Sequence, residues 1–240
     1  MSATTVLRVV SVSLAIGAVA FVGVAAGAGA TTATAYSARH DLFGPVRPDL
    51  SNWGGYAASG TAGEFTTAAA DWTIPTVTCL AKHDLYAPWV GIDGYNDSTV
   101  EQTGVQTSCK TGSPVESAWY EMYPALPVYF SNSVSAGDAI AASVTYAGGT
   151  FTLKISDTTQ GWTQTVQKAL AGAQRGSAEA VIEAPGGYPQ ISSVKFTHVL
   201  LNGADLSTFS PVKLRTGSGG TVYVPGAIVN GTNFTIKPKA

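Results

Sequence analysis

The chain has 240 residues with 13 basic and 15 acidic groups, a formal net charge of −2. Charged residues make up 12% of it, against about 25% in an ordinary soluble protein. With no Lys/Arg cluster there is nothing to release counterions from a phosphate backbone or to dock on an anionic lipid surface, so nucleic acid and stable membrane association are excluded as partners. A low carboxylate count also leaves little native stability dependent on ionised acids, which favours tolerance of acid.

The N-terminus carries Arg8, an apolar run over 9–26, and two small-residue triplets, Ala28-Gly29-Ala30 and Ala33-Thr34-Ala35. This pattern predicts a secretory signal over residues 1–30, cleaved as late as 35, and an extracellular protein; no later run approaches the roughly 18 to 20 apolar residues of a membrane span. Residues 31–50 are polar, contain Pro45 and Pro48 and lack periodicity, so they are expected to be a linker or short pro-segment that need not fold. His40 lies there as a solvated residue. At Ser51 the texture changes, and SNWGGYAASG marks the first strand and turn of one domain over 51–240.

From that point the pattern has period two. Ile140, Ala142, Val144 and Tyr146 share a face, Gly148-Gly149 supplies a tight turn, and Phe151, Leu153 and Ile155 return. Residues 196–201, 221–224 and 234–236 also read as strands. Residues 168–184, KALAGAQRGSAEAVIEA, are rich in helix formers, but Gly172 and Gly176 interrupt them. Alternation there puts Glu179, Val181 and Glu183 on one face, and this period favours a strand. A run of such strands predicts a monomeric two-sheet sandwich or barrel. The only cysteines, Cys79 and Cys109, form an even pair in a chain expected to be exported, so one disulfide is predicted. Closing about 30 residues contributes on the order of 3 to 4 kcal/mol. A metal site beside His83 lacks ligands, so neither metal nor cofactor is expected.

Candidate chemistry concentrates in two stretches. Residues 89–106, WVGIDGYNDSTVEQTGVQ, join Trp89, a Gly-flanked Asp93 and Gln102; the glycines suggest either a hairpin or backbone lying close to an extended substrate. In SAWYEMYP at 117–124 an extended chain projects Trp119, Glu121 and Tyr123 together, two rings framing a carboxylate as a polymer-binding groove requires. His40, His83 and His198 sit in no triad setting and GxSxG is absent. Carboxylate pairs such as Glu121 with Glu183, or Asp93 with Glu183, leave a glycosidase open if the members face each other at about 5 Å.

Five blocks in order, SNWGG at 51–55, WVGIDG at 89–94, EQTGV at 101–105, AWYEMYP at 118–124 and AEAVIE at 178–183, resemble the glutamic peptidases, the eqolisin or G1 family. The resemblance implies a concanavalin A-like sandwich of two curved antiparallel sheets, secretion, and endopeptidase activity in acid on polypeptide substrates. It places a catalytic glutamine and glutamate on Gln102 and Glu183, and substrate-binding or supporting residues on Trp53, Trp89, Asp93 and Glu121, beside Trp119 and Tyr123. One position departs: Gln106 stands where the eukaryotic-type pattern has an acid. The competing class is a carbohydrate-binding or glycoside-hydrolysing sandwich, since such a fold hosts both. Asn96, Asn230 and Asn233 match glycan acceptor motifs.

Overall fold

The structure, a computed structural model, describes residues 43–45, 52–218 and 221–239; the expected signal segment and His40 lie outside the described residues. Its strands build two large antiparallel sheets. In the seven-stranded sheet the order is Val212–Leu214, Trp53–Ser59, Ser177–Gly187, Leu85–Ile92, Val100–Ser108, Val115–Tyr123 and Val128–Tyr129. The second sheet runs from Trp162–Lys168 through Thr150–Asp157, Ala139–Ala147, Thr67–Thr73, Val194–Leu201, Phe234–Lys239 and Thr221–Pro225 to Thr216–Ser218. Among the described residues the one helical element is a 3-10 turn, Leu206–Phe209. This is the expected all-β sandwich.

Alternation decides which side chains meet. Strand Ala139–Ala147 buries every second residue, and its hairpin to Thr150–Asp157 pairs Tyr146 with Phe151 across Gly148-Gly149, both at positive φ. Residues 168–184 contain no helix: Trp162–Lys168 ends at Lys168, a loop follows, and Ser177–Gly187 is a strand. Helix propensity is worth only tenths of a kcal/mol per residue, whereas burial of a large apolar side chain is worth about 1.5 to 3 kcal/mol, so packing prevails.

Ala178, Ala180 and Ile182 face the second sheet and join Tyr86, Val90, Val105 and Met122 in the main core with Trp72, Ile140, Leu153, Phe196 and Phe234. The opposite face of the seven-stranded sheet carries a separate apolar cluster of Trp53, Leu85, Ala87, Trp89, Val100, Trp119 and Val181. Cys79 and Cys109 are joined, with Cα atoms 5.5 Å apart, and the loop they close contains residues 89–106. Phe43, from the segment expected to be a linker or short pro-segment, is fully buried in this cluster, where an apolar ring finds three indoles.

Candidate active site

Strand pairing puts the candidate residues on one face. Gln102 lies opposite Gly91 on one side and Glu121 on the other, and Gly104 lies opposite Trp89 and Trp119. Glu183 lies opposite Trp53 and Ala87. Because side chains at paired positions share a face and alternate residues return to it, Gln102, Glu183, Trp53, Trp89, Trp119, Glu121 and Tyr123 all rise from the outer face. Trp53 and Trp89 meet edge to face at 4.8 Å.

The glycines of 89–106 serve a purpose other than substrate approach. A Cβ on Gly104 would lie 2.4 Å from the Pro88 carbonyl oxygen and 2.6 Å from the Trp89 Cβ, so glycine there lets the Trp89 strand pass. Gly94, at φ +102°, similarly leaves room for the Trp53 indole. They shape the walls of the groove rather than its opening.

Gln102 is fully buried, and the hydrogen-bond network orients its amide. Its Nε2 donates to Glu121 Oε2 at 2.9 Å and to the carbonyl oxygen of Phe43. Its Oε1 is buried with no hydrogen-bond partner among the described residues, as is Glu183 Oε2. Glu183 Oε1 accepts from Asn52 Nδ2 at 2.8 Å and from the Gly44 amide at 3.3 Å. Gln102 and Glu183 therefore touch the oxygen and the nitrogen of a single peptide bond, Phe43–Gly44. Around it, Trp53 Nε1 donates to the Gly44 carbonyl at 3.1 Å, Asn52 Nδ2 to the Pro45 carbonyl at 3.4 Å, and the Phe43 ring stacks on Trp119 at 4.7 Å.

Burial governs the protonation of these acids. Glu183 is pushed well above the usual carboxylate range by desolvation, while hydrogen bonds from Asn52 and Gly44 and the nearby Trp53 and Trp89 indoles pull it back. Glu121 is pushed to about 9 by desolvation and then by the nearby Glu183 charge, against hydrogen bonds from the Phe43 backbone and Gln102. Gln106 contributes no charge; its Oε1 accepts from the Tyr129 hydroxyl at 2.8 Å.

Asp93 stands apart from the peptide in the groove. At φ 69° it accepts at Oδ2 from the backbone N–H groups of Gln174 at 2.8 Å and Arg175 at 2.7 Å, and at Oδ1 from Gly176 at 2.8 Å. It thus clamps the loop that leads into the Glu183 strand, with both carboxylate oxygens committed to that loop's backbone. Near it, Glu101 and Glu179 are fully buried, Glu101 pushed to about 9 and Glu179 raised well above its ordinary value, both chiefly by desolvation and then by the Asp93 charge. Sequence reasoning missed Asn52, Phe43 and this acid cluster. Asn52 sits inside SNWGG beside the chosen Trp53, so the motif pointed at it; nothing in the polar, aperiodic segment 31–50 singled out Phe43.

The sequence model of the Peptidase A4 family matches residues 51–236. Aspergillopepsin-2 of Aspergillus niger is 27% identical over 146 residues, 51% of this chain and 51% of that protein, so the chain spans about half the length of the curated relative it matches. Scytalido-glutamic peptidase, solved with a transition state analog inhibitor, aligns at a TM-score of 0.66 and 25% identity over 78% of this chain and 98% of that one. Aspergilloglutamic peptidase from Aspergillus niger aligns at a TM-score of 0.56 and 24% identity over 65% and 99% of the two chains.

Proposed function

The chain belongs to the Peptidase A4 family, and from that premise we propose that it is a secreted endopeptidase that hydrolyses polypeptides in acid with Gln102 and Glu183 as its catalytic pair. The observation that carries this reading is the contact of Gln102 with the oxygen, and of Glu183 with the nitrogen, of one peptide bond.

Each group then has a role its chemistry allows. Glu183 as carboxylate takes a proton from a water that attacks the carbonyl carbon, with Gln102 Oε1 and Glu183 Oε2 as the acceptors available to hold that water. Gln102 Nε2 donates to the oxyanion that develops on the carbonyl oxygen. Glu183, now protonated, returns the proton to the departing nitrogen. Glu121 cannot replace either group; by accepting from Nε2 it keeps the amide from flipping. A carboxyl with its acidity weakened by burial gains a proton readily in acid, which suits the second step, and exchange of the groove's contents for water relieves the desolvation that is its largest cause.

The test is digestion of an unfolded protein at a series of pH values by wild type, Glu183→Gln and Gln102→Ala. Glu183→Gln is expected to be inactive and Gln102→Ala to lose about 10²- to 10³-fold in kcat, the usual effect of removing one oxyanion donor. Cleavage by Glu183→Gln at the wild-type rate would sink the mechanism.

A further inference from the structure

Resting on that catalytic reading, we infer that Tyr188 is a positioning residue for the reaction: from the core side of the sheet, its hydroxyl fixes the backbone on which both Glu183 and Asn52 are mounted. The need for such a support arises in the strand ladder. Glu183 lies opposite Ala87 and Gly187 opposite Leu85, so the stretch from 183 to 187 faces a shorter stretch of its neighbour and the pairing is irregular immediately after Glu183. An irregularity of this kind re-aims a side chain and removes the ladder bonds that would otherwise hold it. On the other side Glu183 pairs with Trp53, the first residue of its strand, and Asn52 precedes that strand. Glu183, and the Asn52 amide that donates to it at 2.8 Å, thus stand where regular pairing ends on both strands.

Tyr188 takes over where the ladder stops. It directly follows Ser177–Gly187, and its ring joins the main core beside Tyr86 at 6.5 Å and Tyr223 at 5.1 Å. From there its hydroxyl donates to the carbonyl oxygens of Asn52 at 3.1 Å and Ile182 at 3.4 Å. One hydroxyl therefore ties the residue before Glu183 to the residue that orients Glu183. The neighbouring Tyr223 hydroxyl holds a different part of the chain. It donates to the Pro189 carbonyl at 3.0 Å and accepts from the Ile191 amide at 3.3 Å.

The consequence for the chemistry runs through Asn52. Its amide favours the ionised form of Glu183, against the desolvation that raises that acid. Glu121 across the groove and the Tyr188 phenol beneath the sheet also interact with Glu183, and burial keeps both neutral throughout the acid range. A loosened Asn52 therefore raises Glu183 further. Because the carboxylate is the form that activates water, activity is then lost first on the acid side. Tyr188 lies in the core, so binding of substrate in the groove is spared.

The experiment records kcat and KM against pH on a fluorogenic peptide that wild type cleaves, for wild type, Tyr188→Phe, Asn52→Ala and the double variant. Rates are taken per folded molecule, from urea unfolding of each protein. Tyr188→Phe should lose about tenfold in kcat with KM within about twofold. The acid limb of its kcat/KM profile should lie at least about half a pH unit above that of wild type. Asn52→Ala should move the limb the same way, and the double variant should match Asn52→Ala rather than show the product of two losses. Tyr188→Met, whose flexible side chain refills the core without a hydroxyl, should repeat the shift. Tyr223→Phe, which weakens the same core, should leave the limb in place. If both Tyr188 variants keep the wild-type limb, if their losses multiply with that of Asn52→Ala, or if Tyr223→Phe moves the limb equally, this inference is overturned and the catalytic reading stands. If Glu183→Gln cleaves the peptide at the wild-type rate, the catalytic reading itself fails.

Discussion

Raising the pH should destabilise this fold steeply, and Glu101→Gln should blunt the effect. Glu101 is fully buried beside Asp93 and Asp97, and burial followed by the Asp93 charge raises it to about 9. In the unfolded chain it titrates near 4.3. Between these values the folded state holds a proton that the unfolded state has lost, so the stabilisation is complete below about pH 4 and erodes as pH rises toward 9, by about 1.4 kcal/mol per pH unit. Glu121, also raised to about 9, doubles the slope to about 3 kcal/mol per pH unit, and Glu179 and Glu183 act in the same direction. From pH 4.3 to 7 the first two groups alone remove about 7 kcal/mol, comparable with the 5 to 15 kcal/mol that holds an ordinary domain together. The assay is urea unfolding followed by tryptophan fluorescence from pH 3.5 to 7.5, in a Glu183→Gln background, inactive on the proposed mechanism. Adding Glu101→Gln should flatten the dependence by about 1.4 kcal/mol per pH unit above pH 4.5, so that this variant overtakes its parent as pH rises. Parallel curves for the two proteins would refute the reasoning.

Two further outcomes follow from contacts near the groove. Glu121→Leu fills similar space but removes the oxygen that accepts from Gln102 Nε2; kcat should fall about 10- to 100-fold with KM little changed, the effect of about 1 to 3 kcal/mol lost from amide orientation. Asp93→Ala leaves three part-buried backbone donors at 174–176 without their carboxylate and should cost about 1 to 3 kcal/mol in thermal or urea unfolding, with Asp93→Asn recovering part of it.

What could be read from residues alone was the part governed by local period. The 140–155 hairpin repeats every second residue and is flanked by a turn only glycine enters easily, so it was legible. The Glu183 strand was legible only against its own propensity, because Glu179, Val181 and Glu183 alternate while Ala178, Ala180 and Ile182 fill the core. Trp119, Glu121 and Tyr123 share a face for the same reason. Other features depend on partners distant in sequence. Glu101 alternates with Gln102 like any strand residue, and its burial near Glu179, which arrives from 78 residues downstream, cannot be read from that alternation. Phe43 lies in a segment with no period, and its burial exists because Trp119 sits 76 residues away in the chain but 4.7 Å away in space. The glycines around Trp89 signalled crowding correctly, yet what crowds them is an indole and neighbouring backbone, which composition cannot distinguish from a ligand.

The position of Ser177–Gly187 between Trp53–Ser59 and Leu85–Ile92 makes it the keystone of the outer sheet. Without it Trp53–Ser59 and Val212–Leu214 have no ladder to the rest, and Glu183 is missing from the groove. Pairings this remote in sequence form late, because loop closure opposes them until the flanking strands are in place. Until Ser177–Gly187 pairs, Gln102, Trp89 and Trp119 stand on the sheet without Trp53 or Glu183 beside them, so on the proposed mechanism the groove has no general base. If Glu183 acts as proposed, topology also sets the timing: the strand that completes the sheet is the one that completes the chemistry.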